Sequence, residues 1–255
     1  MKQNQPYHKV ERAIILAAGI GQRMHPVTLA TPKPLVPVNG VRMIDTVIRA
    51  LHENDITEIY VVVGYLKEQF NALPSQYPGL RLIENPLYDS WNNIASLYAA
   101  RHCLSNCMIL DGDQLISNPE ALDKRFVLSG YNAVWTEEPT TEWLLDVENG
   151  HVRGCSRTGG NRGWQLYSVS RWTEEDGRRL CGHLEMEFER GHREIYWDDV
   201  AIFCYPEQYD LGIHVMKKGD VIEIDSLDEL IQRDPSYAKY RQAPRFGQTD
   251  GPVSC

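Results

Sequence analysis

Several features are missing from this 255-residue sequence, and each absence removes a class of protein. No stretch approaches 18 consecutive apolar residues, so no membrane-spanning helix is expected. The first eleven residues, MKQNQPYHKVE, lack the apolar centre of a secretory leader and read as a short polar tail. No Cys-x-x-Cys pair occurs among Cys103, Cys107, Cys155, Cys181, Cys204 and Cys255. Nothing near Cys103 and Cys107 completes a zinc set, so the thiols read as free ones in a reducing cytoplasm. The eight histidines show no metal-ligand spacing. A basic excess is also absent. The 26 Lys and Arg stand against 35 Asp and Glu, a net charge of −9, which argues against a general nucleic-acid binder. A local anion site remains compatible with that charge if a few cations or a metal are concentrated against the overall field. No internal repeat, linker or low-complexity tract is visible.

What is present suits a packed globular chain, with 42% apolar and 24% charged residues. Residues 12–17 (RAIILA) form an apolar run that ends in a glycine turn, the mark of a buried strand. Residues 43–51 space Ile44, Val47, Ile48 and Leu51 as one helix face. Strands are expected at 58–63, 81–84 and 107–110, with a helix over 92–103. Strands alternating with helices predict βαβ units and a largely parallel sheet. The second half reads differently. Strands are expected at 131–136, 143–147, 151–155 and 164–169, with a hairpin turn at Asn149-Gly150. A polar helix should follow over 173–190, then short strands at 212–216 and 220–225 on either side of Lys218-Gly219-Asp220. Ser226 is placed to cap a last helix. The expected organisation is one domain over residues 12–235, between tails 1–11 and 236–255.

The most informative stretch is Leu16-Ala17-Ala18-Gly19-Ile20-Gly21-Gln22-Arg23, followed by Thr31-Pro32-Lys33-Pro34-Leu35. A strand delivers the chain into small residues whose N–H groups can approach a ligand closely. Arg23 and Lys33 then supply positive charge for phosphates. Two familiar phosphate loops are excluded. Met24 stands where the dinucleotide-binding pattern needs its third glycine, and the Gly-Lys-Ser/Thr of a P-loop is absent. Asp111-Gly112-Asp113 follows an apolar strand, at the carboxyl end of the sheet where ligands gather.

With its Arg23 and its Thr-Pro-Lys-Pro-Leu, the loop resembles the signature of nucleotidyltransferases that activate phosphomonoesters with an NTP. Further segments resemble the bacterial CTP:phosphocholine cytidylyltransferases. These are Gly64–Phe70, Asn92–Tyr98, Trp143, Ile195–Asp198 and Ile222–Ser226, and with the loop they span about residues 12–232. The resemblance implies an α/β fold, Rossmann-like and three-layered, with a mixed, mainly parallel sheet and a β-rich acceptor-binding subregion. It implies Mg²⁺, CTP, and a phosphomonoester acceptor, phosphocholine favoured, and no nucleic acid or membrane partner. Leu16, Ala17, Ala18, Gly19, Gly21, Arg23 and Asp111 would bind the nucleotide, with Asn92 and Ser96 reading the base. Lys33, Arg23 and Asp113 would carry the chemistry. Asp113 would hold the metal, with Asp225 or Asp198 as second carboxylate.

A quaternary ammonium is held by aromatic faces and nearby carboxylates. Trp135, Trp143, Trp164, Trp172 and Trp197 all lie in the second half, and because the resembling segments include them, Trp143, Tyr196, Trp197 and Asp198 are the expected acceptor residues. The glycine-rich segment Thr158–Gly163 matches nothing in the resemblance and reads either as a closure over the acceptor or as a surface turn. The rival readings are a sugar-1-phosphate or other phospho-alcohol nucleotidyltransferase, a metal-dependent glycosyltransferase, and a non-catalytic nucleotide-binding module.

Overall fold

The chain enters its fold earlier than residue 12. The computed structural model describes residues 7–242, so the outer part of each expected tail, and Cys255, lie outside the described residues. His8–Lys9 (β1) pairs antiparallel with residues 125–126, and the Val10 N–H donates to the Lys124 carbonyl at 2.8 Å. Val10 is buried in the core, and this apolar anchor corrects the tail boundary. The far boundary moves as well. Pro235–Gln242 continues in short helical turns, and Tyr237 and Tyr240 pack onto a small apolar cluster with Met24, Met43 and Leu230.

Arg12–Ala17 (β2) is buried from Ala13 onward, as a strand covered on both faces must be. Met43–Glu53 (α1) turns Ile44, Val47, Ile48 and Leu51 onto one face of the sheet. Glu58–Val63 (β3) and Leu80–Glu84 (β4) follow. The helix expected over 92–103 is shorter. Ile94–Ala99 (α2) ends at Ala100, whose φ of −97° and ψ of 8° interrupt it before a separate turn at Arg101–Cys103. Cys107–Asp111 (β5) leads into Gln114–Ile116 (β6) and Arg125–Phe126 (β7).

The second half is built from Gly130–Thr136 (β8), Leu144–Glu148 (β9), His151–Ser156 (β10) and Gly163–Trp172 (β11). Asn149 and Gly150 join β9 to β10 with φ of 52° and 86°, the doubly left-handed turn that their side chains permit. Glu174–Glu189 (α3) is capped by Thr173, whose Oγ1 accepts the Asp176 N–H at 3.1 Å. Gly212–Val215 (β12), Val221–Glu223 (β13) and Leu227–Arg233 (α4) complete the chain, with Ser226 and Glu229 forming a capping box on α4. The two short strands near Lys218 do not pair with each other. β12 joins β8 and β10, whereas β13 pairs with β6, which the sequence reading missed.

The main sheet runs β8-β12-β10-β9-β11-β5-β2-β3-β4. Its β5-β2-β3-β4 part is parallel, and β11, β9 and β10 run antiparallel to their neighbours. β8 pairs with β11 as well as β12, which closes five strands of the second half into a ring. α1 packs on one face of the parallel part. α2 and α3 pack on the other, with Trp172, Leu180, Leu184 and Trp197. No helix among the described residues is long and apolar enough to cross a membrane.

Candidate active site

The register of two parallel strands creates the site. Leu16 at the end of β2 lies directly beside Asp111 at the end of β5, and the Gly112 N–H donates to the Leu16 carbonyl at 2.9 Å. The glycine loop therefore leaves the sheet next to Asp111-Gly112-Asp113. Gly21 has φ 69°, and a side chain there would press on Thr28 and Lys33 at 3.1 Å. The Thr28 hydroxyl fixes this turn by donating to the Gly21 carbonyl at 2.7 Å. Gly19 differs, because a Cβ there would meet nothing within 4 Å. Among the described residues, the N–H groups of Gly19, Ile20 and Gly21 have no protein acceptor. They border a cavity of about 480 Å³ with Arg23, Lys33, Asp113 and Asp225. Exposed donors beside open space are what an anion requires.

Lys33 is the buried cation of this cavity, 7% exposed. Its Nζ lies 2.5 Å from Asp113 and 2.9 Å from Asp225, so one ammonium ties together carboxylates from two distant segments. Burial alone would lower its pKa, but the two carboxylates outweigh burial and hold it above the ordinary lysine range. Arg23 reaches the same Asp225 at 2.9 Å from an exposed position. Burial pushes the Asp225 carboxyl up, and the charges of Lys33 and Arg23 bring it below the usual value.

A second space of about 240 Å³ opens between the loop and α2, beside Gly19, Asn85, Tyr88, Asn92, Asn93 and Ser96. Both predicted base readers border it, but each already has partners. Ser96 Oγ accepts from Asn85 at 3.0 Å. The Asn92 amide donates to the Glu194 carbonyl at 3.0 Å and its oxygen accepts the Asn93 N–H at 2.7 Å. The sequence reading missed Asn85 and Tyr88. Asn85 directly follows β4 at its carboxyl end, the positional signal that could have found it.

A third cavity, about 220 Å³, continues from Asp111 and Asp113 toward the second half. Trp143, Ser168, Tyr196, Asp198 and Glu223 line it, and Glu142 and Arg23 stand at its border with the loop. Trp143 and Tyr196 meet edge to face at 5.8 Å. Trp197 does not join them. It is 2% exposed and packs against Tyr131 and Trp172, each with centroids at 6.1 Å. The expected role of Trp197 as an acceptor face is therefore corrected. In the helical turn Trp197–Asp199 its ring points into the core while its neighbours serve the cavity.

Asp198 is buried beside the Tyr131 hydroxyl, and neither its Oδ1 nor that hydroxyl has another hydrogen-bond partner. Burial, and then the charge of Asp199, push its carboxyl up to about 7. Glu223 accepts from Gln114 at 3.0 Å, yet burial with the charges of Asp113 and Asp225 also raises it to about 7. Asp111 lies well above the carboxylate range through burial, with repulsion from Asp113, Asp198 and Glu223. Six carboxylates thus share connected space with two cations, an arrangement short of positive charge.

That shortage, and the hard oxygen donors, fit Mg²⁺. Among the described residues no three His, Cys, Asp or Glu side chains are arranged to hold a metal ion by themselves. Mg²⁺ needs only one or two carboxylates when water and substrate phosphates fill its other positions. Asp113 and Asp225 are already brought together around Lys33. Asp198 lines the same cavity as that pair, beside Trp143 and Tyr196, and makes no contact with Lys33.

The MobA-like NTP transferase domain model matches residues 13–142, the segment that carries the glycine loop, Lys33 and Asp111-Gly112-Asp113. The chain belongs to the MobA-like NTP transferase family. This family member is 38% identical over 228 residues to the 2-aminoethylphosphonate cytidylyltransferase of Lancefieldella rimae, covering 88% of this chain and 92% of that one. It is 34% identical over 220 residues to the choline-phosphate cytidylyltransferase of Streptococcus pneumoniae, covering 86% and 94%. The solved structure of the Streptococcus pneumoniae CTP:phosphocholine cytidylyltransferase matches with a TM-score of 0.81 at 31% identity, covering 89% of this chain and 99% of that one. The transferase is accordingly a nucleotidyltransferase, as the glycine loop led us to expect, with cytidylyltransferases as homologues, to which the segments Asn92–Tyr98 and Ile195–Asp198 point.

Proposed function

We propose that this enzyme moves the cytidylyl group of CTP onto a small zwitterionic acceptor, with a phospho or phosphono group at one end and an ammonium at the other. The observation that carries the acceptor half is Asp198, a carboxylate that lines the cavity continuing from Asp113 and is buried beside the Tyr131 hydroxyl. A buried carboxylate is costly unless partners satisfy it. An N–H-bearing ammonium in the cavity would supply one, with Trp143 and Tyr196 flanking its carbon chain. A quaternary head cannot donate to the carboxylate and depends on aromatic faces. With Trp197 in the core, Trp143 and Tyr196 are the aromatic faces that line this cavity among the described residues. The geometry therefore favours a primary amine. Phosphocholine, expected from the sequence, is the second reading, supported by the Trp143–Tyr196 pair.

In the proposed reaction an acceptor oxygen attacks the α-phosphorus of CTP. The bond from that phosphorus to the bridging oxygen breaks, and pyrophosphate leaves with the electron pair. The attacking oxygen is already anionic, so no general base is needed. The N–H groups of Gly19–Gly21 receive phosphate oxygens, and Arg23 turns from Asp225 to the outer phosphates. Lys33, buried and charged, exchanges a carboxylate contact for the reacting phosphate oxygens. Asp113 and Asp225 would hold Mg²⁺, which when bound neutralises the phosphate charge. Most of the acceleration is then positioning and charge stabilisation. The free thiols Cys103, Cys107, Cys155, Cys181 and Cys204 suit a cytoplasmic setting.

The test is pyrophosphate release with Mg²⁺, crossing CTP, UTP, ATP and GTP with five acceptors. These are 2-aminoethylphosphonate, phosphoethanolamine, phosphocholine, glycerol-3-phosphate and a hexose-1-phosphate. CTP with a primary-amine acceptor should give the highest kcat/KM. A lead for phosphocholine would move the assignment to the quaternary head. A lead for glycerol-3-phosphate or the sugar phosphate would overturn the zwitterionic reading.

A further inference from the structure

We propose that Arg157 is a positioning residue for the acceptor, clamping Trp143 and the turn at Tyr196–Asp199 into the arrangement that forms the ammonium pocket. This rests on the reading of the cavity given above. Arg157 follows β10 and begins the glycine-rich loop. Its Nη2 donates to Asp199 Oδ1 at 2.6 Å. Its guanidinium carbon lies 4.0 Å from the Phe203 ring centroid and 5.5 Å from that of Trp143. The Asp199 side chain is only 2% exposed, and its other oxygen accepts the Tyr196 N–H at 2.9 Å. Trp143 in turn stands edge-on to Tyr196 and to Phe203, at 5.8 and 5.7 Å. One guanidinium thus contacts both the carboxylate that fixes the Tyr196 backbone and the ring that Tyr196 packs against.

Arg157 and Phe203 are not among the residues that line the cavity with Trp143 and Tyr196. A cation near Trp143 but outside the pocket weakens that ring's attraction for a second cation. Its benefit to binding must therefore come from order. The loop carrying it is itself pinned, because Thr140 and Gly160 exchange two backbone hydrogen bonds at 2.9 and 3.0 Å. A planar guanidinium can stack on a ring and bind a carboxylate together, which an ammonium cannot match.

The test compares wild type, Arg157→Met and Arg157→Lys by steady-state kinetics, using whichever panel acceptor the wild type turns over best, with CTP affinity measured by calorimetry. Arg157→Met should raise the acceptor KM roughly tenfold while kcat and the CTP Kd stay within about twofold, the signature of lost ground-state positioning. Arg157→Lys should recover only part of the loss. An unchanged or lowered acceptor KM in Arg157→Met overturns the proposal, as does a parallel loss of CTP affinity in a folded variant. Should Arg157→Met fail to fold, Asp199→Asn provides the same test and must raise the acceptor KM with CTP binding intact. An unmoved KM in that variant overturns the clamp. A wild type with no acceptor-dependent turnover sinks the cavity reading and this inference with it, whereas normal wild-type turnover with unmoved variants sinks this inference alone.

Discussion

The two sides of the cleft are made by different means. On the parallel side, unpaired N–H groups of one short loop face open space, and a single buried lysine gathers two carboxylates. On the antiparallel side, Trp143, Ser168, Asp198 and Glu223 come from four separate stretches, and the site is lined by their side chains. The first side suits a ligand portion common to every nucleoside triphosphate. On the proposed reading, the second would change its acceptor through single side chains while the loop stays as it is. Such a division would account for relatives named for different acceptors that share most of a chain length.

Substitutions can break or sharpen this contrast. The largest effect should come from Trp197→Ala, a cavity in the core costing about 3–5 kcal/mol in urea unfolding. A raised acceptor KM without loss of stability would instead return that ring to the pocket. Lys33→Ala should lower kcat by about 10²-fold or more, the scale of one lost transition-state charge contact. Near-normal turnover in a folded protein would remove Lys33 from the chemistry. Asp198→Asn should raise the acceptor KM by roughly 10- to 100-fold and leave the CTP Kd alone, since a hydrogen bond to a charged group is worth about 1.5–3 kcal/mol. A matching change in CTP affinity would mean that the two sides are not separable. Gly19→Ala should leave the melting temperature unchanged, because its Cβ position is empty, and weaken CTP binding measured by calorimetry. Intact CTP affinity would show that the empty space is not used. Tyr196→Ala should be mildest, with an acceptor KM up about threefold from one lost aromatic contact. An effect as large as that of Asp198→Asn would shift the balance toward the quaternary head.

The same contrast governs what could be read from the residues alone. Leu16–Arg23 and Lys33 lie close together in sequence, so their chemistry is a local pattern. The Asn149-Gly150 turn and the Ser226 cap were legible for the same reason, each being set within a few residues. Asn85, Tyr88 and Glu142 are single residues in connecting segments, brought to the site only by packing. Trp197 shows the opposite failure. It lies in a segment that resembles a known family, yet which of Tyr196, Trp197 and Asp198 faces the core depends on a helical turn that spacing did not reveal. The pairing of β6 with β13 was hidden because both strands are three residues long and far apart in the chain.

The closed ring of five strands dictates an order of assembly. β12 lies between β8 and β10, yet it is made after both, and after β9, β11 and α3. Until residues 212–215 leave the ribosome, β8 and β10 each present an open edge to neighbouring chains. The early loop and its lysine adjoin strands β2, β3 and β5, which can pair co-translationally, whereas the side proposed for the acceptor stays exposed to misassembly until most of the polypeptide has been synthesised.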